Sequence, residues 1–327
     1  MNKNVQILFT AAFTTSFIRE DHVFLQSRYS VKDIISYGLS TFGTLFTSLS
    51  GTDITFSWFA SIYSSYLVLL TKFFKKKSII ILGGADVANI PELNYGVWRS
   101  WWRSKIVRYG IMNADLVLAV DGSLKNDAMH LARYNGNNIH VVPTGYDSDR
   151  WKPGVTKGSS VLTVAHCENL TRAKVKGIDF LCAVANAMPD QHFVLIGLNE
   201  EIASHFNIPT NLRYRESIPQ NELLEHYQNA AVYFQPSLRE GLPNTVCEAM
   251  LCECFPVGTN IGGIPTAIGE CGRLVSYGNV DEATSAIRYG VRHHNNSAAR
   301  ERIEQNFSKS KRQDQLTHFI ELLIDAK

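Results

Sequence analysis

The chain has 327 residues, 45% of them apolar and 19% charged, with a formal net charge of +2. That length suits two domains of roughly 150 residues each, the 11% aromatic content excludes a disordered chain, and near-neutrality excludes a dedicated nucleic-acid binder. The charge is uneven: residues 1–150 carry 15 basic and 11 acidic side chains, the remainder 17 and 19. The opening MNKNVQILFT turns polar from Thr14, too early for the apolar region of a signal peptide.

In chain order, the first half offers strands at Val5–Phe9, Ile54–Trp58, Ser78–Leu82, Leu116–Val120 and Ile139–Val142. The longest apolar stretch, Ile54–Leu70, carries five Ser/Thr and reads as a strand plus a buried helix rather than a membrane span. Asn94–Tyr109 has helical spacing, with Trp98, Trp102, Ile106 and Tyr109 on one face and Arg99 and Arg103 beside them. Eight cations lie between Lys72 and Arg108 against only Asp86 and Glu92. A basic helix rich in tryptophan reads as an interfacial membrane anchor through Trp98, Trp101, Trp102, Arg99 and Arg103, helped by Lys75–Lys77; the plainer alternative is a core helix with solvated arginines.

Pro143-Thr-Gly145 and Trp151-Lys-Pro-Gly154 have linker composition. Beyond them strands follow at Val161–Ala165, His192–Ile196, Leu212–Arg215, Ala231–Gln235, Phe255–Gly258 and Arg273–Val275. Helical patterns intervene at Ile178–Met188, Gln220–Asn229, Thr245–Glu253 and Asp281–His294. Apolar strands spaced by amphipathic helices imply parallel sheets with right-handed crossovers. The expected fold class is therefore α/β, with two doubly wound Rossmann-like domains at 1–150 and 151–305 facing a cleft. A C-terminal helix at 306–327 would cross back to the first domain. Six cysteines, all in the second half, lack zinc spacing and read as buried thiols.

Three segments carry chemistry. The strongest is Pro236-Ser-Leu-Arg-Glu240-Gly241-Leu242-Pro243-Asn244-Thr245-Val-Cys-Glu248-Ala-Met250. A buried strand ends in a loop carboxylate, and a helix follows, for which Asn244 is a good N-cap. Its free amides and positive end suit a phosphate or pyrophosphate, while Glu248 can accept from vicinal hydroxyls such as those of a ribose. The plainer reading makes Glu248 a helix-dipole partner and Glu240 a surface charge. The second segment places Arg172, Lys174 and Lys176 around Gly177, able to neutralise a diphosphate leaving group without a metal; a solvated basic loop is the alternative. The third, Asn260-Ile-Gly262-Gly263-Ile-Pro265, is a glycine pair that allows close approach to a ligand. In the first half, the loop Gly83-Gly84-Ala-Asp86 aims a carboxylate at the expected cleft. Asp86 is thus either an acceptor-side catalytic residue or a structural turn aspartate.

Taken together, the Lys176-Gly177 turn, the Glu240–Glu248 pair and the Gly-Gly-x-Pro run resemble the retaining GT-B glycosyltransferases of family 4 (glycosyl transferases group 1). Asp115–Val120, Val141–Asp147 and Cys271–Val275 resemble further signatures of that family. The resemblance implies a nucleotide-diphosphate sugar donor held by the second domain. Glu248 would hold the ribose hydroxyls and Glu240 would sit against the transferred sugar. Lys176 with Arg172 or Lys174 would meet the diphosphate, and Gly241–Thr245 with Gly262 and Gly263 would complete the donor site. It further implies retention of configuration, neither metal nor cofactor, and a glycan or lipid-linked acceptor in cell-surface polysaccharide or lipopolysaccharide assembly, at the cytoplasmic side of the membrane. Two departures stand out: Ala165-His166 replaces the family's Gly-Arg, and Thr266 replaces a glutamate after Pro265. They leave open an epimerase or phosphorylase on the same fold, or a non-catalytic nucleotide-sugar sensor.

Overall fold

A computed structural model describes residues 5–35, 38–294 and 296–325. The chain divides into two units, one running to Gly145 and resuming at Ser310, the other spanning Tyr146–Lys309.

The first unit holds β1 (Gln6–Ala11), β2 (Ser30–Ile35), β3 (Ile54–Trp58), β4 (Lys77–Leu82), β5 (Leu116–Ala119) and β6 (Ile139–Val141), in the order β2-β1-β3-β4-β5-β6. Every pairing is parallel. β3 and β5 are buried along their whole length, as strands covered on both faces must be. The strand β2 is absent from the expected set, because its SVKDII, at the sheet edge, is half exposed and charged at its centre. The apolar stretch after β3 resolves as expected into a strand and the helix Ile62–Phe73. A reciprocal box starts that helix, with Ser61 Oγ accepting from the Ser64 amide and Ser64 Oγ from the Ser61 amide.

The helix Lys309–Asp325 packs on the first unit from Ser310 onward. Arg312 fixes it there. Its Nε and Nη2 donate to Asp21 at 2.7 and 2.6 Å, and its Nη1 donates to the carbonyls of Val142 and Pro143. Trp58 Nε1 donates to the same aspartate at 3.1 Å. A buried ion pair is tolerable only when its donors are met this fully.

The second unit holds β7 (Ser160–Val164), β8 (Phe193–Ile196), β9 (Leu212–Arg215), β10 (Ala230–Gln235), β11 (Phe255–Thr259) and β12 (Arg273–Val275), in the order β12-β11-β10-β7-β8-β9, again all parallel. From β7 the chain winds outward through β8 and β9, then returns to β10 and winds the other way. The order therefore reverses between β7 and β10, and the loops leaving their carboxyl ends part there, opening the crevice in which such sheets bind ligands. Five of the six cysteines are buried, and none is disulfide-bonded. Among the described residues, no helix is long and apolar enough to cross a membrane.

Candidate functional site in the second unit

The strand β10 is fully buried and ends in Gln235, a polar side chain only 1% exposed. Such a group must find partners, and its partners build the site. Gln235 Nε2 donates to Ser237 Oγ at 2.7 Å and to Glu240 Oε1 at 2.9 Å, while its Oε1 accepts from Thr245 Oγ1 at 3.3 Å. Ser237 Oγ donates to Glu240 Oε1 at 2.8 Å, and Lys176 Nζ lies 2.6 Å from the same oxygen. Glu240 is therefore no solvated loop charge: its side chain is 11% exposed, against 19% for Lys176.

The turn that supplies Lys176 is locked to the Glu240 loop. Asn169 caps the short helix Leu170–Val175, its Oδ1 accepting from the Arg172 amide at 2.9 Å. Gly177 holds φ +71°, and a Cβ there would lie 1.9 Å from the carbonyl oxygen of Pro236, so only glycine fits. The Leu238 amide donates to the Val175 carbonyl at 2.8 Å across the same contact. Arg172 and Lys176 stand four residues apart on one side of the turn, whereas Lys174 points away and is exposed. Arg172 is thus the cation that accompanies Lys176. Both act on Cys167, whose thiol burial nonetheless pushes up to about 11.

The helix Asn244–Leu251 follows. Its N-cap is Pro243, and no side chain caps it. The expectation that Asn244 would do so is corrected: its Oδ1 accepts instead from Tyr146 OH at 2.7 Å. Proline has no amide to spend and presets its own φ, which suits a helix entry. The helix thus starts directly behind the Glu240 loop, with its positive end there. Gly241, Leu242 and Pro243 are buried, while Asn244 and Thr245 are partly open.

Glu248 sits one turn in, 4% exposed, and both its oxygens are engaged: Oε1 accepts from Gln220 Nε2 at 2.8 Å, Oε2 from Tyr227 OH at 3.0 Å. Burial, with the glutamate beside it, drives the Tyr227 phenol well above its ordinary range, keeping it a donor. A carboxylate oxygen accepts more than one hydrogen bond, so this anchoring orients Glu248 without exhausting it.

Gly262 holds φ +58°. The close approach that requires glycine is to the protein itself, since a Cβ would fall 2.2 Å from the Glu240 carbonyl oxygen. Gly262 thus lies against the back of the Glu240 loop, and Gly263 holds the N-cap position of the helix Ile264–Ile268. His166, in place of the expected arginine, has Nδ1 2.8 Å from Ser217 Oγ and Nε2 3.1 Å from Glu168 Oε1.

Asp86 lies in the first unit and does not project from its loop. It is 2% exposed and accepts from the amides of Ala60 (3.1 Å), Gly83 (3.2 Å) and Gly84 (2.7 Å). Burial raises its carboxyl against the pull of those amides. That placement is the one a structural turn aspartate takes. The aromatic segment is also revised. The α-helix there begins at Trp101 and ends at Asn113, packing through Val107, Gly110 and Ile111. Trp98 falls in the preceding 3-10 turn Val97–Arg99, its Nε1 donating to the Asp86 carbonyl at 2.9 Å. Trp101 and Trp102 are 73% and 43% exposed, so the core-helix alternative fails for them.

Sequence reasoning missed Gln235, Ser237, Gln220 and Tyr227. Their one visible signal is a glutamine closing the apolar run Ala-Ala-Val-Tyr-Phe, a position where water cannot satisfy it.

Two units, each a six-stranded parallel sheet with one reversal of strand order, have the GT-B architecture. Residues 160–292 match the family model of glycosyl transferases group 1. The chain is 30% identical over 213 residues to alpha-maltose-1-phosphate synthase of Mycolicibacterium smegmatis, covering 57% of this chain and 54% of that protein. The chain thus spans about half the length of that relative. In fold it is similar to sucrose-phosphate synthase from Thermosynechococcus elongatus (TM-score 0.79, 13% identity, 99% of this chain and 100% of that one). It is similar too to HepE of Anabaena in complex with UDP-glucose (TM-score 0.76, 13% identity, 97% and 99%).

Proposed function

We propose that the protein is a retaining glycosyltransferase that moves a sugar from a nucleotide-diphosphate donor to a glycan or lipid-linked acceptor, working at the inner face of the cell membrane in cell-surface polysaccharide assembly. The observation that carries this reading is the Lys176–Glu240 contact of 2.6 Å where the loops leaving β7 and β10 part, just ahead of the start of the helix Asn244–Leu251. The second unit takes the donor. Glu248, held by Gln220 and Tyr227, presents its remaining lone pairs to the ribose hydroxyls. Lys176 and Arg172, with the amides at Gly241–Thr245, meet the diphosphate, whose charge grows as the glycosidic bond breaks. These groups supply positive charge at the leaving oxygens, so the reading needs neither metal nor cofactor. Glu240 lies against the transferred sugar. The acceptor hydroxyl, bound through the first unit, attacks on the face the diphosphate leaves, and a phosphate oxygen takes its proton.

Donor hydrolysis is the direct test, with UDP-glucose as the first donor because HepE is similar in fold and was solved with it. Slow release of free sugar and nucleoside diphosphate, abolished in Glu240→Ala, is expected. Tight donor binding without release from any nucleotide sugar in a panel would instead make the protein a sensor.

A further inference from the structure

Three helices of the first unit, Thr41–Ser48, Ile62–Phe73 and Trp101–Asn113, link β2 to β3, β3 to β4 and β4 to β5. All three connections step in the same direction across the sheet, so right-handed crossovers place the helices side by side on one face. The middle helix contacts both neighbours. Gly110 allows close packing against it, because a Cβ there would meet Ser65 Oγ at 2.3 Å.

The outer surface of this layer is apolar where a surface should be polar. Ile62, Tyr66, Leu69 and Phe73 recur along one line of the middle helix, reaching 51% exposure at Leu69 and 79% at Phe73. Phe46 on one side is 50% exposed, and Trp101 on the other 73%. Between the helices runs a groove of about 430 Å³, walled by Phe42, Tyr66, Leu69, Ile106 and Tyr109. Its polar lining is nearly nil. The Ser65 hydroxyl is spent on the Ser61 carbonyl at 2.7 Å, and the Lys105 ammonium, which also lines the groove, lies 4.9 Å over the Trp101 ring. A sugar or nucleotide in this groove would find almost nothing to bond, whereas an aliphatic chain would lose nothing.

Around the apolar surface cations predominate. Lys72, 4.0 Å from Asp115, and Lys75 are exposed at the end of the middle helix, and Arg103 lies 5.2 Å over the exposed Trp102 ring. Lys75, Arg103 and Lys105 enter no ion pair among the described residues. Exposed tryptophans, a dry groove and a cationic rim complement the acyl region and phosphates of an anionic leaflet.

We propose that the outer face of these three helices docks on an anionic phospholipid bilayer, with one acyl chain entering the groove and Lys72, Lys75 and Lys105 meeting lipid phosphates. The inference shares with the proposed function only its membrane-side setting. Vesicle binding is measured without donor or turnover, so either can fail alone.

The test is co-sedimentation of the full chain with vesicles of phosphatidylcholine alone and of phosphatidylcholine with phosphatidylglycerol, alongside tryptophan quenching by lipids brominated on their acyl chains. Binding to the anionic vesicles only, weakened by salt, is expected, with quenching that disappears in the Trp101→Ala/Trp102→Ala double variant. That variant should bind at least about tenfold more weakly, Lys105→Gln about fivefold more weakly, and Leu69→Asp should block chain entry and cut the quenching. All four positions are solvent-exposed, and an unchanged melting temperature certifies the fold. Equal binding to both vesicle types, undiminished binding by the double variant, or self-association lost on the same substitutions without vesicle binding would each overturn the proposal.

Discussion

The two units share one architecture, yet their strand-order reversals are finished in opposite ways. In the second unit, the loops leaving β7 and β10 carry a connected set of polar side chains, from Thr245 through Gln235 and Ser237 to Glu240 and Lys176. In the first, the reversal lies between β1 and β3, and aromatic rings wall it. Phe13 packs at 5.3 Å from Phe59, Phe59 holds φ +71°, and its ring lies 2.3 Å from where a Cβ on Gly83 would be. The carboxylate next to it, Asp86, is consumed by three backbone amides. A carboxylate at a strand's carboxyl end is thus not a site in itself. What matters is whether side chains hold it with capacity to spare or the backbone uses it up.

The largest test of this contrast is at Lys176. Removing it as Lys176→Ala strips the cation nearest Glu240 and should lower donor hydrolysis by about a thousandfold, the scale for losing a donor to developing charge. Lys176→Arg should recover part of that loss. A variant that hydrolyses donor at the wild-type rate would leave the Lys176–Glu240 pair purely structural.

Asp86 should behave in the opposite sense. Asp86→Ala leaves the amides of Ala60, Gly83 and Gly84 without their acceptor inside the first unit. It should cost about 3 kcal/mol of stability by denaturant unfolding, while the folded fraction binds donor as well as wild type does. A collapse of donor affinity without loss of stability would return Asp86 to the catalytic role. Between these extremes lies Gly177→Ala, whose new methyl group must displace Pro236. A stability loss of about 2 kcal/mol is expected, with a matching fall in donor hydrolysis because the same shift moves Lys176.

The contrast also marks what the sequence could reveal. Eleven of the strands follow from short β-rich runs, and the interior ones are mostly buried, as parallel strands covered on both faces are. The edge strand β2 leaves no such run, since Lys32 and Asp33 sit where an interior strand would be apolar. Glu240, Glu248 and Lys176 could be picked out by type and spacing. Their holders could not, because Gln220 and Tyr227 reach Glu248 from another helix and its approach, 28 and 21 residues away. Asp86 misled for the mirror reason: a Gly-Gly-x-Asp loop looks the same whether its carboxylate faces solvent or its own amides. The tryptophans divided at a boundary that spacing alone did not reveal, since one 3-10 turn separates Trp98 from the helix of Trp101 and Trp102.

The smallest expected effect is shared by the units and sharpens what is not different between them. His140 on β6 packs 4.7 Å from Phe319 of the C-terminal helix, the rings tilted by 46°, and burial, with Lys125 nearby, lowers its pKa below the ordinary 6.5. In the second unit burial and Arg215 lower His226 in the same direction. A histidine whose folded pKa is depressed binds its proton more readily when unfolded. Its contribution is therefore present above the ordinary histidine pKa and is lost as pH falls through the folded value. Melting temperature should accordingly decline as pH drops from neutrality through the histidine range. His140→Gln should flatten that decline for the first unit, and His226→Gln for the second. If either substitution left the acid sensitivity of its own unit unchanged, that histidine would be solvated rather than held neutral by burial, and the packing of His140 on Phe319 would carry no proton linkage.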